Sequence, residues 1–201
     1  MTQQSAPGQA DPHKISLRPP VAEDGAGVHK LITECPPLDT NSVYCNLLQC
    51  DHFAGTSVTA ERSGRIVGFI SGYRVPDRPH VLFVWQVAVS PRARGQKLAS
   101  RMLQHILARP QNAGVTHIET TITKDNQASW SLFRRLARSF DAELKRNVKF
   151  CEEKHFNGQH ETEYLATIGP LAQEHSIASM LSGQSRGHIR VPRYKPRLFH
   201  T

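Results

Sequence analysis

Trp85-Gln86-Val87-Ala88-Val89-Ser90-Pro91-Arg92-Ala93-Arg94-Gly95-Gln96-Lys97-Leu98-Ala99 runs an apolar strand straight into a basic, Gly-containing turn that opens a helix. A helix start leaves backbone N–H groups without intrahelical partners, and the helix dipole places partial positive charge at the same point. With Arg92, Arg94 and Lys97 beside it, this turn reads as an anion site, and the expected ligand carries a pyrophosphate.

The 201 residues are 38% hydrophobic, enough to bury one sizeable core. Three segments are expected: a polar N-terminal tail over 1–13, one domain over 14–170, and a basic C-terminal tail over 171–201 that is too poor in apolar residues to fold alone. No apolar run approaches a membrane span, and Met1 to Pro12 lacks the basic-then-apolar order of a secretory signal. A cytoplasmic protein without a membrane partner is therefore expected. Cys35, Cys45, Cys50 and Cys151 contain no C-x-x-C spacing and read as reduced, packed thiols without a catalytic role. Much of the formal charge of +8 sits in Arg186 to Arg197. That tail has only Tyr194 and Phe199 for stacking, so nucleic acid is not the expected partner.

Periodicity predicts alternating strands and helices in the order βααβββαβαββ. Ile15 to Arg18 forms a short strand, and Val28, Leu31 and Ile32 mark the apolar face of a first helix that stops at Pro36-Pro37. Asn41 or Ser42 caps a second helix running to about Cys50. Thr56 to Ala60 and Arg65 to Tyr73 flank a Ser63-Gly64 turn, a hairpin signature. Val81 to Val89 is near-continuously apolar, which predicts a strand buried on both faces at the middle of a sheet. Leu98, Met102, Leu103, Ile106 and Leu107 give the next helix, and Val115 to Ile122 the next strand. Asn126 caps a helix with Ala128, Leu132, Phe133 and Leu136 inward, and Phe140 to Phe150 pairs with Glu163 to Ile168.

Three of these features together resemble the GCN5-related N-acetyltransferase superfamily. Arg92-Ala93-Arg94-Gly95-Gln96-Lys97 is similar to its [RQ]-x-x-G-x-[GA] phosphate loop, departing at Lys97. Asn126-Gln127-Ala128-Ser129-Trp130-Ser131-Leu132-Phe133 is similar to its N-x-x-[AS]-x-x-[LF]-Y helix start, and the element order matches from Ile15 to Ile168. The resemblance implies an α/β fold with a mixed, splayed central sheet flanked by helices. It also implies acetyl coenzyme A as co-substrate, held by backbone groups of Val87 and Val89, by the turn Arg92, Arg94, Gly95, Gln96, Lys97, Leu98 and Ala99, and by Asn126. At Lys97 the sequence leaves open whether the side chain hinders close approach to phosphate or adds charge at its rim. Where the superfamily often has a Tyr to protonate the departing thiolate, this chain has Phe133, which cannot donate a proton. Water, or a hydroxyl such as Tyr44, is left for that task.

A narrower resemblance concerns the substrate. Leu38-Asp39-Thr40-Asn41-Ser42-Val43-Tyr44 with Leu47-Leu48-Gln49-Cys50, then Val84-Trp85-Gln86-Val87-Ala88-Val89, then His155-Phe156 to Glu161-Thr162-Glu163, are similar to the L-2,4-diaminobutyrate acetyltransferases of ectoine synthesis. That likeness implies acetylation of the γ-amine in a homodimeric enzyme. A primary ammonium with a pKa near ~10.4 costs about 4–5 kcal/mol to neutralise at pH 7, so carboxylates are needed to attract it and take its proton. Asp39, Glu161 and Glu163 are the candidates, with Glu161 the preferred base. Asp39 alternatively only caps a helix, and the two glutamates are alternatively solvated edge charges. Tyr44 and Trp85 line the expected substrate site, Trp85 alternatively being only a core residue, and the Val87 N–H is the donor the superfamily resemblance suggests for the developing oxyanion. His155 and His160 fall outside H-E-x-x-H spacing, so no metal is expected. Two other readings stay open: an acetyltransferase for another small diamine or amino acid, and a non-catalytic acyl-coenzyme-A-binding or nucleic-acid-associated domain.

Overall fold

A computed structural model of the protein describes residues 14–172. The expected N-terminal tail, and the C-terminal tail from residue 173 on, lie outside the described residues. Strands β1 (Ser16–Arg18), β2 (Val58–Arg62), β3 (Arg65–Val75), β4 (Arg78–Val89), β5 (His117–Thr123), β6 (Leu144–Phe150) and β7 (Glu163–Ile168) form one mixed sheet. Helices α1 (Gly25–Thr33), α2 (Val43–Asp51), α3 (Leu98–Leu107), α4 (Gln127–Ser139) and α5 (Glu152–Phe156) connect them. The sheet order β1-β2-β3-β4-β5-β7-β6 puts β4 at its centre, as the apolar run predicts.

Local chemistry explains most element ends. Ser42 Oγ accepts the Cys45 N–H at 3.1 Å and starts α2, so Ser42 is the cap rather than Asn41 or Asp39. Asn126 Oδ1 accepts the Ser129 N–H at 3.0 Å and starts α4. Three expectations about the elements' bounds and number need correction. Strand β6 begins at Leu144 rather than Phe140, because Phe140 closes α4 from a buried position. Strand β5 begins at His117, after Val115 has bonded back to Asn112 in a turn. The five-residue α5 has no apolar face long enough to show in the pattern.

Two apolar layers clasp the sheet. On one face, Leu98, Met102, Leu103 and Ile106 of α3 and Trp130, Phe133 and Leu136 of α4 pack on Ile70, Leu82, Ile118 and Ile168. On the other, Val28, Leu31 and Ile32 of α1 and Cys50 of α2 pack with Cys35, Phe69 and Ala88. A β-bulge divides β4 between these layers. Ser71 pairs with Gln86 and Gly72 with Val84, leaving Trp85 as the extra residue. Before the bulge, Leu82 and Val84 face the α3/α4 layer; after it, Ala88 faces α1/α2 while Val87 and Val89 pack toward α3/α4. Strand β4 is consequently not buried on both faces throughout, and Trp85 is 45% exposed.

Gly72 makes the bulge possible, since a Cβ there would stand 2.8 Å from the Phe83 carbonyl oxygen and 3.3 Å from that of Thr56. Both obstacles are backbone and cannot rotate away. Gly72→Ala is expected to destabilise the fold by about 1–3 kcal/mol, measured by chemical denaturation, through overpacking of a closed site. Gly64→Ala, where nothing lies within 4 Å but φ is +72°, is expected to cost less, on the order of 1 kcal/mol.

Candidate active site

Strand β4 is paired with β5 only over Val81, Leu82 and Phe83, opposite His117, Ile118 and Glu119. Beyond Phe83 the two strands diverge, and β5 continues with β7 alone on its other side. The Ser90 N–H donates to the Val67 carbonyl at 2.9 Å, toward β3. Strand alternation then turns the N–H groups of Val89 and Val87 the other way, into the gap. A polar chain with amide groups fits such a slot.

The gap leads to the basic turn. Pro91–Ala93 forms a single 3-10 turn, Arg94 is extended with its Nε donating to the Val89 carbonyl at 3.3 Å, and Gly95 takes φ +80°. Arg92, Gly95, Gln96 and Lys97 are exposed, Leu98 is buried, and Ala99 is half-buried. Helix α3 starts at Leu98 without any side-chain cap, which leaves its first-turn N–H groups available to a bound anion. Lys97 occupies the left-handed region at φ +54°. That region favours a residue without a Cβ, which is the physical sense of a small residue at this place in the loop pattern. Asn126 spends its side-chain oxygen on the α4 cap. Phe133 is 2% exposed within the α3/α4 layer.

On the α1/α2 face, the bulge brings two neighbours to one side. Trp85 meets Tyr73 edge-on at 6.4 Å, and Gln86 points its amide to the same face, where Nε2 donates to the Asp39 carbonyl at 2.6 Å. Asp39 is exposed and does not cap α2; its Oδ1 accepts the Asn41 N–H at 3.2 Å in a tight turn. Tyr44, on the first turn of α2, is 69% exposed.

The two glutamates separate sharply. Glu161 precedes β7 and is exposed, whereas Glu163 is the first residue of β7 with a side chain only 19% exposed. Tyr164, Ala166 and Ile168 pack toward α3/α4, so alternation turns Glu163 to the face that carries Trp85 and Gln86. Burial lifts the Glu163 carboxyl above the usual carboxylate range, against the opposing pull of His160 and the Thr121 hydroxyl. Its Oε2 is buried without a partner, and its Oε1 lies 3.9 Å from His160 Nε2. His160 Nδ1 stands 2.8 Å from the Glu161 carbonyl oxygen, which only accepts, so Nδ1 carries the proton and Nε2 faces Glu163. The ring also lies against Phe156, with centroids 4.7 Å apart and planes tilted by 40°. Sequence reasoning weighed His160 only as a metal ligand and overlooked its pairing with Glu163, although the i, i+3 spacing was visible. It also overlooked Gln86, whose role depends on the bulge.

Burial raises the thiols of Cys35 and Cys45 and pushes Cys50 up to about 12, which disfavours a thiolate nucleophile at these three. Among the described residues, no cluster of three or more His, Cys, Asp or Glu is placed to hold a metal ion, and no helix is long and apolar enough to cross a membrane.

A family model described as acetyltransferase (GNAT) family matches residues 26–137. The chain is 57% identical to an L-2,4-diaminobutyric acid acetyltransferase of Methylotuvimicrobium alcaliphilum, over 78% of this chain and 91% of that one. It is 50% identical to a protein of the same name from Vibrio parahaemolyticus, over 80% and 89%. Its structure is similar to diaminobutyrate acetyltransferase EctA of Paenibacillus lautus in complex with L-2,4-diaminobutyric acid and coenzyme A, with a TM-score of 0.74 and 41% identity over 78% and 95% of the two chains. The chain belongs to the diaminobutyric acid acetyltransferase family of the GNAT acetyltransferases. The enzyme thus carries the mixed, open seven-stranded sheet that the sequence resemblance implies.

Glu163 also affects stability. A carboxyl whose folded pKa lies above its unfolded value binds its proton more tightly in the folded state, so stability falls as pH rises through the window between the two. The Glu163→Gln enzyme is expected to melt higher than the parent near neutral pH and to show no advantage at pH 4, below that window; differential scanning calorimetry at the two pH values checks this.

Proposed function

We propose that the enzyme transfers the acetyl group of acetyl coenzyme A to the γ-amine of L-2,4-diaminobutyrate, by direct attack of the amine. The observation that carries this reading is the pairing of two opposite environments on one sheet: an uncapped helix start with basic neighbours at the end of the gap, and a largely buried carboxylate on β7 that shares a sheet face with the aromatic pair of Trp85 and Tyr73. The first suits a pyrophosphate and the second an ammonium.

The splayed strand fits the pantetheine arm, with Val87 and Val89 offering backbone groups and the turn from Arg92 to Ala99 offering N–H groups and charge. Coenzyme A supplies an activated acetyl thioester. The protein supplies the rest. Asp39 attracts an ammonium group of the substrate, Trp85 walls the pocket, and Tyr44 reaches it from α2. Glu163 is the better proton acceptor of the two glutamates, because burial raises its affinity for a proton while Glu161 stays hydrated at the rim. The Val87 N–H, aimed into the gap, is the donor for the acetyl oxygen. Homodimeric assembly, a cytoplasmic location and a role in making the osmoprotectant ectoine belong to this reading, which the family resemblance supports.

Thiol release from acetyl coenzyme A, compared across L-2,4-diaminobutyrate, ornithine, lysine and 2,3-diaminopropionate, is expected to favour diaminobutyrate, with NMR showing γ-acetylation. Preference for another amine overturns the substrate assignment. Glu163→Gln is expected to lower kcat by about 10²-fold with little change in coenzyme affinity, as removal of a general base does. Tyr44→Phe distinguishes two routes for the thiolate proton: a loss of about 10²-fold assigns it to the phenol, and a loss below about threefold assigns it to water.

A further inference from the structure

Gln86 is an unusual residue for its place in the sheet. It lies in the central strand, is only 7% exposed, and is the sole side chain of β4 among the described residues with a hydrogen bond to the segment between α1 and α2. Its Nε2 donates to the Asp39 carbonyl at 2.6 Å, while its Oε1 is buried without any donor. Directly opposite in register, Ser71 is fully buried and its Oγ likewise meets no partner. An amide oxygen accepts and a hydroxyl donates, so the two unmatched groups are complementary. Unmatched buried groups are rare in folded proteins and tend to mark sites.

At the start of this segment the Cys35 thiol donates to the Val89 carbonyl at 3.4 Å, and around Asp39 itself the other side-chain and cap bonds are local. Asp39 and Asn41 bond to one another, and Ser42 bonds forward into α2 at Cys45 and Asn46. The Gln86 amide is what ties the backbone of Asp39 to the strand that carries Trp85 and Val87. The bulge makes this tie possible, since without the extra residue Trp85 and Gln86 would face opposite sides.

We propose that Gln86 is a positioning residue for amine recognition: it hangs the Asp39 segment from the bulge of β4, and the Ser71 hydroxyl opposite is the donor that a small side-chain rotation brings to its Oε1. This inference rests on the reading that Asp39 holds an ammonium group of the substrate. Glutamine suits the task because its amide donates to a carbonyl without adding charge beside the Asp39 carboxylate. A glutamate of the same shape has no N–H to offer and sets a second carboxylate against that carbonyl.

Steady-state kinetics on the full chain tests the proposal with Q86E, D39N and the double variant, and with coenzyme A affinity by calorimetry as a check on folding. Q86E is expected to raise KM for diaminobutyrate about tenfold, the equivalent of one hydrogen bond, with kcat changed less than about threefold and KM for acetyl coenzyme A unchanged. The double variant is expected to be no worse than D39N alone, because both remove one device. S71A is expected to give a smaller rise in the same constant, about two- to threefold. A D39N enzyme impaired for the amine while Q86E stays within about twofold of the parent overturns the positioning role, as do effects of the two substitutions that multiply. A D39N enzyme with unchanged KM overturns the Asp39 reading itself. If Q86E fails to bind coenzyme A, Q86M, which keeps the size and loses the donor, is judged by the same criteria.

Discussion

The separation of β4 from β5 after Phe83 is the constraint on which the rest of the molecule depends. Strand backbone in the middle of a sheet is stable when its N–H and C=O groups are paired, and leaving them unpaired in a partly buried place costs free energy. Here Val84 to Val89 pair on one side only. The core compensates on either flank: β3 is paired with β4 over most of its length, and β7 is paired with β5 from Ile118 to Thr123. Each half is thus held by its own ladder, and the opening lies between them.

The Trp85 bulge acts on the same strand at the point where it leaves its partner. By inserting one residue, it exchanges which side chains face α3/α4 and which face α1/α2. Val87 and Val89 turn their side chains into the larger apolar layer, and Trp85 and Gln86 both reach the opposite face. The bulge thereby presents free backbone groups toward the gap and polar or aromatic side chains toward the opposite face within a few consecutive residues. The electrostatics divide in the same way. A chain of net charge +8 keeps Arg92, Arg94 and Lys97 around one end of the gap, while Asp39, Glu161 and Glu163 stand in the segments assigned to the amine. Net charge therefore says little about the proposed amine site, because it sums two groups of residues of opposite sign.

Much of this was legible in the chain itself. The apolar run ending at Val89, the basic turn and the caps at Ser42 and Asn126 depend on neighbours in sequence, and each appears near its expected place. What escaped depends on contacts between distant residues. The bulge at Trp85 is a relation between β3 and β4, and no local pattern announces it. Asp39 reads as a possible cap because of its position before α2, yet Ser42 does that work and Asp39 is tied instead to Gln86, far away in the chain. Helix α5 is too short for periodicity, although it sets Phe156 beneath His160.

The choice between Glu161 and Glu163 shows where alternation misleads. Two residues at i and i+2 share a face only if both lie in the strand, and β7 begins at Glu163. Glu161 therefore stays in the loop with its carboxylate in water, and its backbone carbonyl is what contributes, by fixing the ring of His160. Glu163 gains its properties from the strand: pairing opposite Thr123 holds its backbone, burial withdraws water from its carboxylate, and His160 approaches one oxygen. Opposite charge at His160 and the Thr121 hydroxyl would each lower its proton affinity, yet desolvation outweighs both. A carboxylate in that state is a stronger base than one in water, which is the property that the proposed role of Glu163 as proton acceptor requires, and the same desolvation costs the fold stability above the unfolded pKa.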